Sequence, residues 1–316
     1  MIQHGRFIQA EDFPLNSWSC DKARDIHSAL RKPLSIITLK TCAELRTAVH
    51  KLHSENQKIG VVPTMGALHE GHMSLVAASI AQADVTIATI FLNPTQFAPS
   101  EDLEAYPKPL EADLAKLESA GVDYAFVPNK AEIYPDDFST AIVPPLVSKK
   151  LEGEFRPTHF GGVATVVLKL LNLTQADFAF FGQKDFQQVM VVKQMVKDLN
   201  VPTEIIVCPI IRESDGLALS SRNVYLSPEE REIALTLSRT LDHVETQIKQ
   251  GQRDGFEVLT EMRQMLIDGG VESIDYATIA NPSTLEMSDP IQLPAVALIA
   301  AYVGKTRLID NRVIGA

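Results

Sequence analysis

The 316-residue sequence has only three cysteines, Cys20, Cys42 and Cys208, and none of them forms a CxxC pair. A disulfide framework or a zinc knuckle is therefore not expected, and this cysteine usage favours a reducing, cytoplasmic compartment. No apolar run reaches the roughly 18 residues that a membrane-spanning helix needs. The first residues, MIQHGRFIQAEDFPLNSW, contain acids and no long apolar segment, so they are not expected to form a secretory signal.

Positive charge is scarce. The chain has 29 Lys and Arg residues against 40 Asp and Glu residues, which gives a formal net charge of −11. Binding to nucleic acid or to an anionic membrane needs clustered Lys and Arg, so neither partner is expected. A small anionic ligand needs only a local positive pocket and stays possible.

The common nucleotide-binding motifs are also missing. The sequence contains no G-x4-G-K and no G-x-G-x-x-G, which disfavours a P-loop and a dinucleotide-binding turn. The segment 69–72, HEGH, is one residue shorter than the H-E-x-x-H of zinc proteases and has a glycine inside it. A zincin is therefore not expected.

Short apolar segments alternate with helix-like segments from residue 34 to residue 211. The segments expected to be strands are 34–39, 59–64, 85–92, 123–127, 177–182 and 203–211. Helices are expected after the capping box of Thr41 and Glu44 and over 72–83, 109–120, 162–173 and 187–199. This alternation predicts an α/β fold, in which a parallel sheet has helices on both faces.

The pattern changes after about residue 212. Ser227, Pro228 and Glu230 have the order of a helix start, and Gly251 can end that helix. A second helix over 256–267 and two or three strands within 273–280, 295–303 and 306–310 follow. We therefore expect a smaller α+β domain in this part of the chain.

Chemically useful side chains follow three of the expected strands. The segment PTMGALHEGH, 63–72, places His69 and His72 between an expected strand and the start of an expected helix. The first N–H groups of a helix have no partner within it, so they favour the binding of a phosphate there. Gln96 and Gln188 follow two other strands and suit a hydroxylated carboxylate. Lys184 and Arg222 can offset the charge of a triphosphate, with the hydroxyls of Ser220 and Ser221 beside them, and Asp185 can bind a ribose or a magnesium ion.

These segments resemble the pantothenate synthetase family, whose enzymes join pantoate to β-alanine with ATP. The motifs PTMGALHEGH, FLNPTQF, GQKDFQQ and GLALSSRN match the family's signatures almost letter for letter, and the resemblance runs from about residue 34 to the end. It implies a Rossmann-like domain of the H-x-G-H nucleotidylyl transferase type, followed by a small domain that closes over ATP. It also implies a homodimer and the use of Mg²⁺.

The resemblance assigns roles residue by residue. His72 matches the family's proposed proton donor, and Gln96 and Gln188 match the glutamines that hold pantoate. Ile211 stands where the family often has a valine near adenine. The residues matching the ATP-binding segments are Met65, Gly66, Ala67, Leu68, His69, Glu70, Gly71, His72, Gly182, Gln183, Lys184, Asp185, Leu219, Ser220, Ser221 and Arg222.

Some positions depart from the family pattern. In FRPTHFGG, 155–162, Thr158 and Gly161 replace a glycine and an acid. Lys108 replaces an arginine, and Ala112, between Glu111 and Asp113, replaces an acid that is sometimes assigned to magnesium. The magnesium ligands are therefore unknown from the sequence, and the ion is expected mainly on the phosphates.

We predict three segments with different roles. Residues 1–33 are an N-terminal extension of unknown role, 34–212 form the catalytic domain that binds ATP and pantoate, and 213–316 form a C-terminal lid. The predicted reaction passes through a pantoyl adenylate and releases AMP and pyrophosphate. Two alternatives are an H-x-G-H transferase that adenylates a phosphorylated acceptor and a non-catalytic module that senses ATP.

Overall fold

The computed structural model describes residues 35–97, 103 and 106–315, so the expected N-terminal extension, 1–33, lies outside the described residues. The described chain forms two compact units. Of the described residues, those from 35 to 214 together with 218–223 form the first unit, and 215–217 together with 224–315 form the second.

The first unit alternates strands and helices, as the sequence predicts. Its strands are β1 (Ile37–Leu39), β2 (Ile59–Thr64), β3 (Val85–Ile90), β4 (Tyr124–Phe126), β5 (Phe178–Gly182) and β6 (Glu204–Cys208). Its helices are α1 (Cys42–Ser54), α2 (Glu70–Gln82), α3 (Leu110–Ser119), α4 (Lys130–Ile133), α5 (Glu152–Phe155), α6 (His159–Thr174) and α7 (Phe186–Asp198). Short 3-10 turns cover Pro94–Gln96, Leu146–Lys149, Gln183–Asp185 and Ser221–Tyr225.

The six strands form one parallel sheet in the order β1-β4-β3-β2-β5-β6. One core contains buried side chains of α1, α6 and α7, and another contains those of α2 and α3. The expected α/β fold is therefore confirmed. The chain moves outward in one direction from β2 to β4 and then crosses to the other side of β2, and such a switch point is where ligands bind at the carboxyl ends of parallel strands.

A proline separates two strands at this switch point. The carbonyl of Thr64 accepts a hydrogen bond from Phe91 at 3.0 Å, so Thr64 faces β3 and the preceding Pro63 faces β5. Proline has no N–H to donate, and the pairing of β2 with β5 ends at Val61. Beyond Val61, the carboxyl ends of β2 and β5 are therefore not joined by paired backbone hydrogen bonds.

Several elements differ from the expected ones at their ends. The capping box of Thr41 and Glu44 is present. Helix α2 begins at Glu70, two residues before the expected start, because His69 itself caps it. Helix α6 begins at His159 rather than at Gly162, and β3 is buried along its whole length in the sheet.

The second unit places two helices against an antiparallel sheet. Helix α8 (Pro228–Lys249) begins with the expected capping box of Ser227 and Glu230, and α9 (Gly255–Asp268) follows. The strands β7 (Ser273–Ala280), β8 (Ala295–Val303) and β9 (Thr306–Ile314) pair in chain order. Five leucine, valine and isoleucine side chains of α8 are buried in the core of this unit: Leu235, Leu237, Leu241, Val244 and Ile248. Among the described residues, no helix is both long and apolar enough to cross a membrane.

Candidate active site

The loop between β2 and α2 has an unusual backbone. Gly66 has φ of +87° and Ala67 has φ of +51°, so two successive residues adopt left-handed conformations. The next residue, Leu68, is buried. Two side chains of α3 contact this turn: the carboxylate of Asp113 accepts hydrogen bonds from the N–H groups of Ala67 and Leu68, both at 2.8 Å, and Lys116 donates to the carbonyl of Leu68.

The two histidines cap α2 reciprocally. Nδ1 of His69 accepts from the N–H of Gly71 at 3.1 Å, and Nδ1 of His72 accepts from the N–H of His69 at 3.3 Å. The ring centroids are 4.1 Å apart. Because both Nδ1 atoms act as acceptors, each neutral ring carries its proton on Nε2. Both Nε2–H groups are therefore on the ring edge opposite the helix backbone and can donate to a ligand.

Both rings are neutral at neutral pH. Burial, followed by the charges of His69 and Lys184, lowers the pKa of His72 to about 3. Burial and then the charge of Lys184 also lower the pKa of His69, while the charge of Asp185 acts in the opposite direction. His72 is therefore a neutral N–H donor rather than a charged acid, and Lys184 lies close enough to act on both histidines.

Acid is expected to destabilise the wild type more than a His72→Asn variant. The folded-state pKa of about 3 lies below the ordinary value of 6.5, so an unfolded chain binds a proton that the folded chain does not bind between these values. The free energy of unfolding therefore falls as the pH drops below 6.5, and this histidine accounts for a loss of about 2 kcal/mol between about pH 7 and pH 5.

Urea unfolding at the two pH values measures this difference. Asparagine keeps an acceptor for the N–H of His69 and does not titrate, so its variant should lose less stability. His50→Asn, on the exposed surface of α1, is the matched control and should behave as the wild type. Equal acid losses in the wild type and the His72→Asn variant would contradict the assigned pKa.

Gln96 is held in one orientation by a buried asparagine. Asn93 is 1% exposed, and its Oδ1 accepts hydrogen bonds from Tyr134 at 2.9 Å and from the hydroxyl of Thr95 at 2.9 Å. Its Nδ2 donates to Oε1 of Gln96 at 3.1 Å and to the carbonyl of Gly162 at 3.2 Å. The contact with Asn93 therefore uses Oε1 of Gln96 and not its Nε2. That nitrogen lies 2.9 Å from Sδ of Met65, in the loop between β2 and α2 that leads to His69 and His72, here named the histidine loop.

The segment that departs from the family pattern supports the backbone of Gln96. His159 donates from Nδ1 to the carbonyl of Gln96 at 2.9 Å, and Arg156 donates to the same oxygen at 3.4 Å. Arg156 also forms a largely buried ion pair with Glu152 at 3.1 Å. Arg156 and His159 thus hold the backbone of the turn Pro94–Gln96. At Gly161, the nearest atom to the position of an added Cβ is the carbonyl oxygen of Ile142, 3.8 Å away.

The two adjacent glutamines after β5 have different environments. Gln187 is buried, donates to the carbonyls of Val147 and Lys150 at 2.9 and 2.7 Å, and accepts from the N–H of Glu152 at 3.0 Å. Gln188 is partly exposed and has no side-chain hydrogen bond to a described residue. Gln187 therefore supports the fold, and Gln188 is available to a ligand.

The segment 218–223 belongs to the first unit and approaches the histidine loop. Leu219 donates from its backbone to the carbonyl of Ile211 at 2.9 Å, and its Cβ lies 3.8 Å from the position that a Cβ of Gly71 would take. Oγ of Ser220 accepts from the N–H of Arg222 at 3.2 Å, and Ser221 lies 3.4 Å from the hydroxyl of Tyr106.

The structure thus brings together most of the residues that the sequence singles out. Contacts or charge interactions link the histidine loop to Gln96, Lys184, Asp185 and Leu219. No described contact links Gln188 to this group. Within the described residues, no cluster of three or more His, Cys, Asp or Glu side chains could hold a metal ion.

Sequence reasoning missed Asp113 and Tyr134. The motifs mark Asp113 only as a neighbour of Ala112, yet it is 1% exposed and holds the loop backbone. One signal was present: Asp113 lies four residues before Leu117, on the buried face of α3, and an acid on an apolar helix face usually has a buried partner. The position of Tyr134 beside Asn93 has no comparable local signal.

Comparison with known proteins gives a consistent result. A family model described as pantoate-beta-alanine ligase matches residues 37–313. The chain is 47% identical to the pantothenate synthetase of Caldicellulosiruptor bescii, over 89% of this chain and 100% of that protein. It is 49% identical to pantothenate synthetase 1 of Bradyrhizobium diazoefficiens, over 86% and 96% of the two chains.

Solved structures agree with these relatives. The crystal structure of pantothenate synthetase from Thermus thermophilus has a TM-score of 0.84 and 42% identity, with coverage of 89% of this chain and 100% of that one. The pantoate-beta-alanine ligase of Francisella tularensis, in complex with beta-gamma ATP and beta-alanine, has a TM-score of 0.74 and 39% identity, with coverage of 88% and 97%.

Proposed function

The chain belongs to the pantoate-beta-alanine ligase family, and from this premise we propose which of its side chains carry out the ligation. The reaction joins pantoate to β-alanine to form pantothenate, and ATP is a substrate. The observation that carries the assignment of roles is the reciprocal cap of His69 and His72, which leaves two neutral N–H donors beside the charge of Lys184.

In the first half-reaction, a carboxylate oxygen of pantoate attacks the α-phosphorus of ATP. The new O–P bond forms as the bond to the β-phosphate breaks, so pantoyl adenylate and pyrophosphate are the products. Negative charge shifts onto the phosphate oxygens, where preorganised N–H donors and a cation are most effective. We assign these roles to the Nε2–H of His72 and of His69 and to the ammonium of Lys184.

Ser220, Ser221 and Arg222 are proposed to hold the β- and γ-phosphates. This segment approaches the histidine loop through Leu219, and Arg222 brings a fixed positive charge. In the second half-reaction, the amine of β-alanine attacks the acyl carbon of the adenylate, the C–N bond forms, AMP leaves and the nitrogen loses a proton. No side chain needs to form a covalent intermediate, because alignment and charge stabilisation are sufficient.

Gln96 and Gln188 are proposed to bind pantoate. Asn93 already donates to Oε1 of Gln96, so the side of Gln96 that faces a ligand is the N–H donor, which suits a carboxylate or hydroxyl oxygen. Gln188 has no hydrogen bond to a described residue and is proposed to bind a second oxygen of the substrate.

The neighbouring glutamines give a matched test of this assignment. Gln188→Ala is expected to raise the KM for pantoate by about tenfold or more, because one or two hydrogen bonds to the substrate are lost. The free energy of unfolding should change little. Gln187→Ala removes three buried hydrogen bonds and is expected to lower the free energy of unfolding by about 2 kcal/mol or more. Steady-state kinetics and urea unfolding of both variants separate the two roles, and a reversed pattern would reject the assignment.

Magnesium is proposed to enter with the triphosphate. Among the described residues no group of side chains forms a cage for it, and the carboxylate of Asp113 is occupied by two backbone N–H groups. Mg²⁺ commonly binds through substrate phosphates and keeps several waters, which fits a site without a dedicated set of ligands. The residues shown here therefore support binding of an ATP–magnesium complex rather than of the ion alone.

The homodimer, the cytoplasmic location and the division into a catalytic domain over 34–212 and a lid over 213–316 stay proposals. Strand β3 is buried along its whole length, so its apolar side chains are not exposed on the surface of the first unit. Exposed apolar side chains occur instead at Val143 and Leu146, which are 89% and 77% exposed. Sedimentation of the wild type and of a Val143→Asp variant tests whether this surface joins two copies.

The first experiment on function is pyrophosphate release from ATP and magnesium, with pantoate present or absent and β-alanine withheld. Pantoate-dependent release, together with a trapped pantoyl adenylate, is the expected result. Tight ATP binding by a folded protein without pantoate-dependent release would contradict the ligase mechanism. Phosphorylated acceptors would then test the alternative transferase, and a failure of these would favour an ATP sensor.

A further inference from the structure

Backbone N–H groups of the turn before His69 form an anion-binding concavity, and a side chain of the protein occupies it. Gly66 and Ala67 both have positive φ, and the successive backbone N–H groups of Ala67 and Leu68 converge on one point. The carboxylate of Asp113 occupies that point. Its Oδ2 accepts from Ala67 and its Oδ1 from Leu68, and both distances are 2.8 Å.

The same helix also holds the other polar group of this turn. Lys116, one turn after Asp113 on α3, donates to the carbonyl of Leu68. Both backbone groups of Leu68 are therefore bound by α3. An alanine in the left-handed region is less stable than in its ordinary conformations, so the turn needs such contacts to persist.

This turn directly precedes the histidine pair. The N–H of His69, the next residue after Leu68, donates to the ring of His72, and the ring of His69 accepts from Gly71. A rotation of the Leu68 peptide groups would therefore change the direction of both Nε2–H groups.

We propose that Asp113 and Lys116 are positioning residues for adenylate formation. They fix the backbone ahead of His69, and the carboxylate of Asp113 keeps the phosphates of ATP out of the concavity at Ala67 and Leu68. The phosphates are thereby directed to the imidazole N–H groups. The proposal rests on the proposed function, because its readout is the reaction of ATP with pantoate.

Chemical rescue tests the proposal. In the full-length chain, Asp113→Ala is expected to lower kcat/KM for ATP by at least about tenfold, with a nearly unchanged KM for pantoate. Sodium formate supplies a small carboxylate that can enter the vacated position, so it should restore the rate in a saturable manner, whereas sodium chloride at the same ionic strength should not. A purely structural role would give no saturable rescue.

Two further variants keep the test decisive if Asp113→Ala does not fold. Asp113→Asn retains the size but presents an N–H to one of the two backbone donors, so it should lose ATP reactivity without rescue by formate. Lys116→Met removes the contact to the Leu68 carbonyl together with the positive charge that acts on His69 and His72, and should raise KM for ATP. ATP kinetics within twofold of the wild type in folded Asp113→Ala or Asp113→Asn protein would overturn the proposal.

Pyrophosphate release by the wild type distinguishes a failure of the positioning role from a failure of the proposed function. If the wild type itself shows no pantoate-dependent release of pyrophosphate, the proposed function fails. If the wild type reacts and the Asp113 variants react equally well, the function stands and the positioning role is wrong. A loss in folded Asp113→Ala protein that formate does not reverse also counts against the carboxylate's role.

Discussion

Replacing His72 by asparagine is expected to lower pantoate-dependent pyrophosphate release by about 10²–10³-fold, as is typical when one preorganised donor to a developing oxyanion is lost. Asparagine places an oxygen near the position of Nδ1 and can still accept from the N–H of His69. It has no atom that reaches the position of Nε2. The variant therefore keeps the helix cap and loses the proposed donor to the phosphate.

Glutamine is the complementary replacement. Its amide nitrogen reaches approximately the position of Nε2, so His72→Gln should keep a larger share of the rate than His72→Asn. This order follows from a neutral imidazole that donates a hydrogen bond, as the low pKa of His72 indicates. If His72 instead had to transfer a proton, both variants would lose the activity equally, because neither amide titrates in this range.

Single-turnover release of pyrophosphate measures the chemical step without the second half-reaction. His50→Asn, at an exposed position on α1, is the control for a histidine replacement that leaves the site intact. A His72→Asn rate within tenfold of the wild type would remove His72 from the proposed mechanism. A His72→Gln rate below that of His72→Asn would show that the cap matters more than the donor.

Alanine at Gly162 is expected to destabilise the first unit by about 2 kcal/mol, within the range usual for overpacking, and to weaken pantoate binding. The added Cβ would lie 2.3 Å from the carbonyl oxygen of Thr95 and 2.6 Å from the nitrogen of Gln96. These are backbone atoms and cannot rotate away. Helix α6 or the turn that carries Gln96 must move, which also disturbs the bond from Asn93 to the Gly162 carbonyl.

The adjacent glycine is the matched control. An added Cβ at Gly161 would have only the Ile142 carbonyl, 3.8 Å away, within 4 Å, which is an ordinary contact. Alanine is favoured over glycine inside a helix, so Gly161→Ala should be neutral or stabilise by about 0.5–1 kcal/mol. Urea unfolding and the KM for pantoate, measured for both variants, test the contrast. Equal behaviour of the two would mean that the close approach at Gly162 does not constrain the turn.

Local chain preferences made much of the fold predictable. The capping boxes at Thr41 and Ser227 fixed two helix starts, and apolar runs marked the buried strands. The order of the strands was not readable, because the adjacency of β2 and β5 depends on packing between segments more than 100 residues apart. The early start of α6 was missed because its glycines look like a break, whereas Gly162 is needed for close backbone contact.

The site was predictable where it depends on short motifs. Gln96, Lys184 and the histidine pair were all expected, and their joint placement follows from parallel strands ending at one edge. The sequence could not reveal which of Gln187 and Gln188 faces inward, since that depends on carbonyls about 40 residues away. It also could not show that His69 and His72 cap each other, or that Asp113 fills the turn beside them.

Asn93 also bears on how the protein ages chemically. Exposed asparagines are gradually converted to aspartate when the backbone nitrogen of the following residue attacks the side-chain amide. The residue after Asn93 is Pro94, whose nitrogen carries no hydrogen and cannot close that ring. An aspartate at this buried position would set a carboxylate oxygen against Oε1 of Gln96 and the backbone carbonyl of Gly162, the two acceptors to which the amide of Asn93 now donates. During long storage, deamidation should therefore reach exposed positions such as Asn200 well before it reaches Asn93, beside the proposed pantoate-binding residue Gln96.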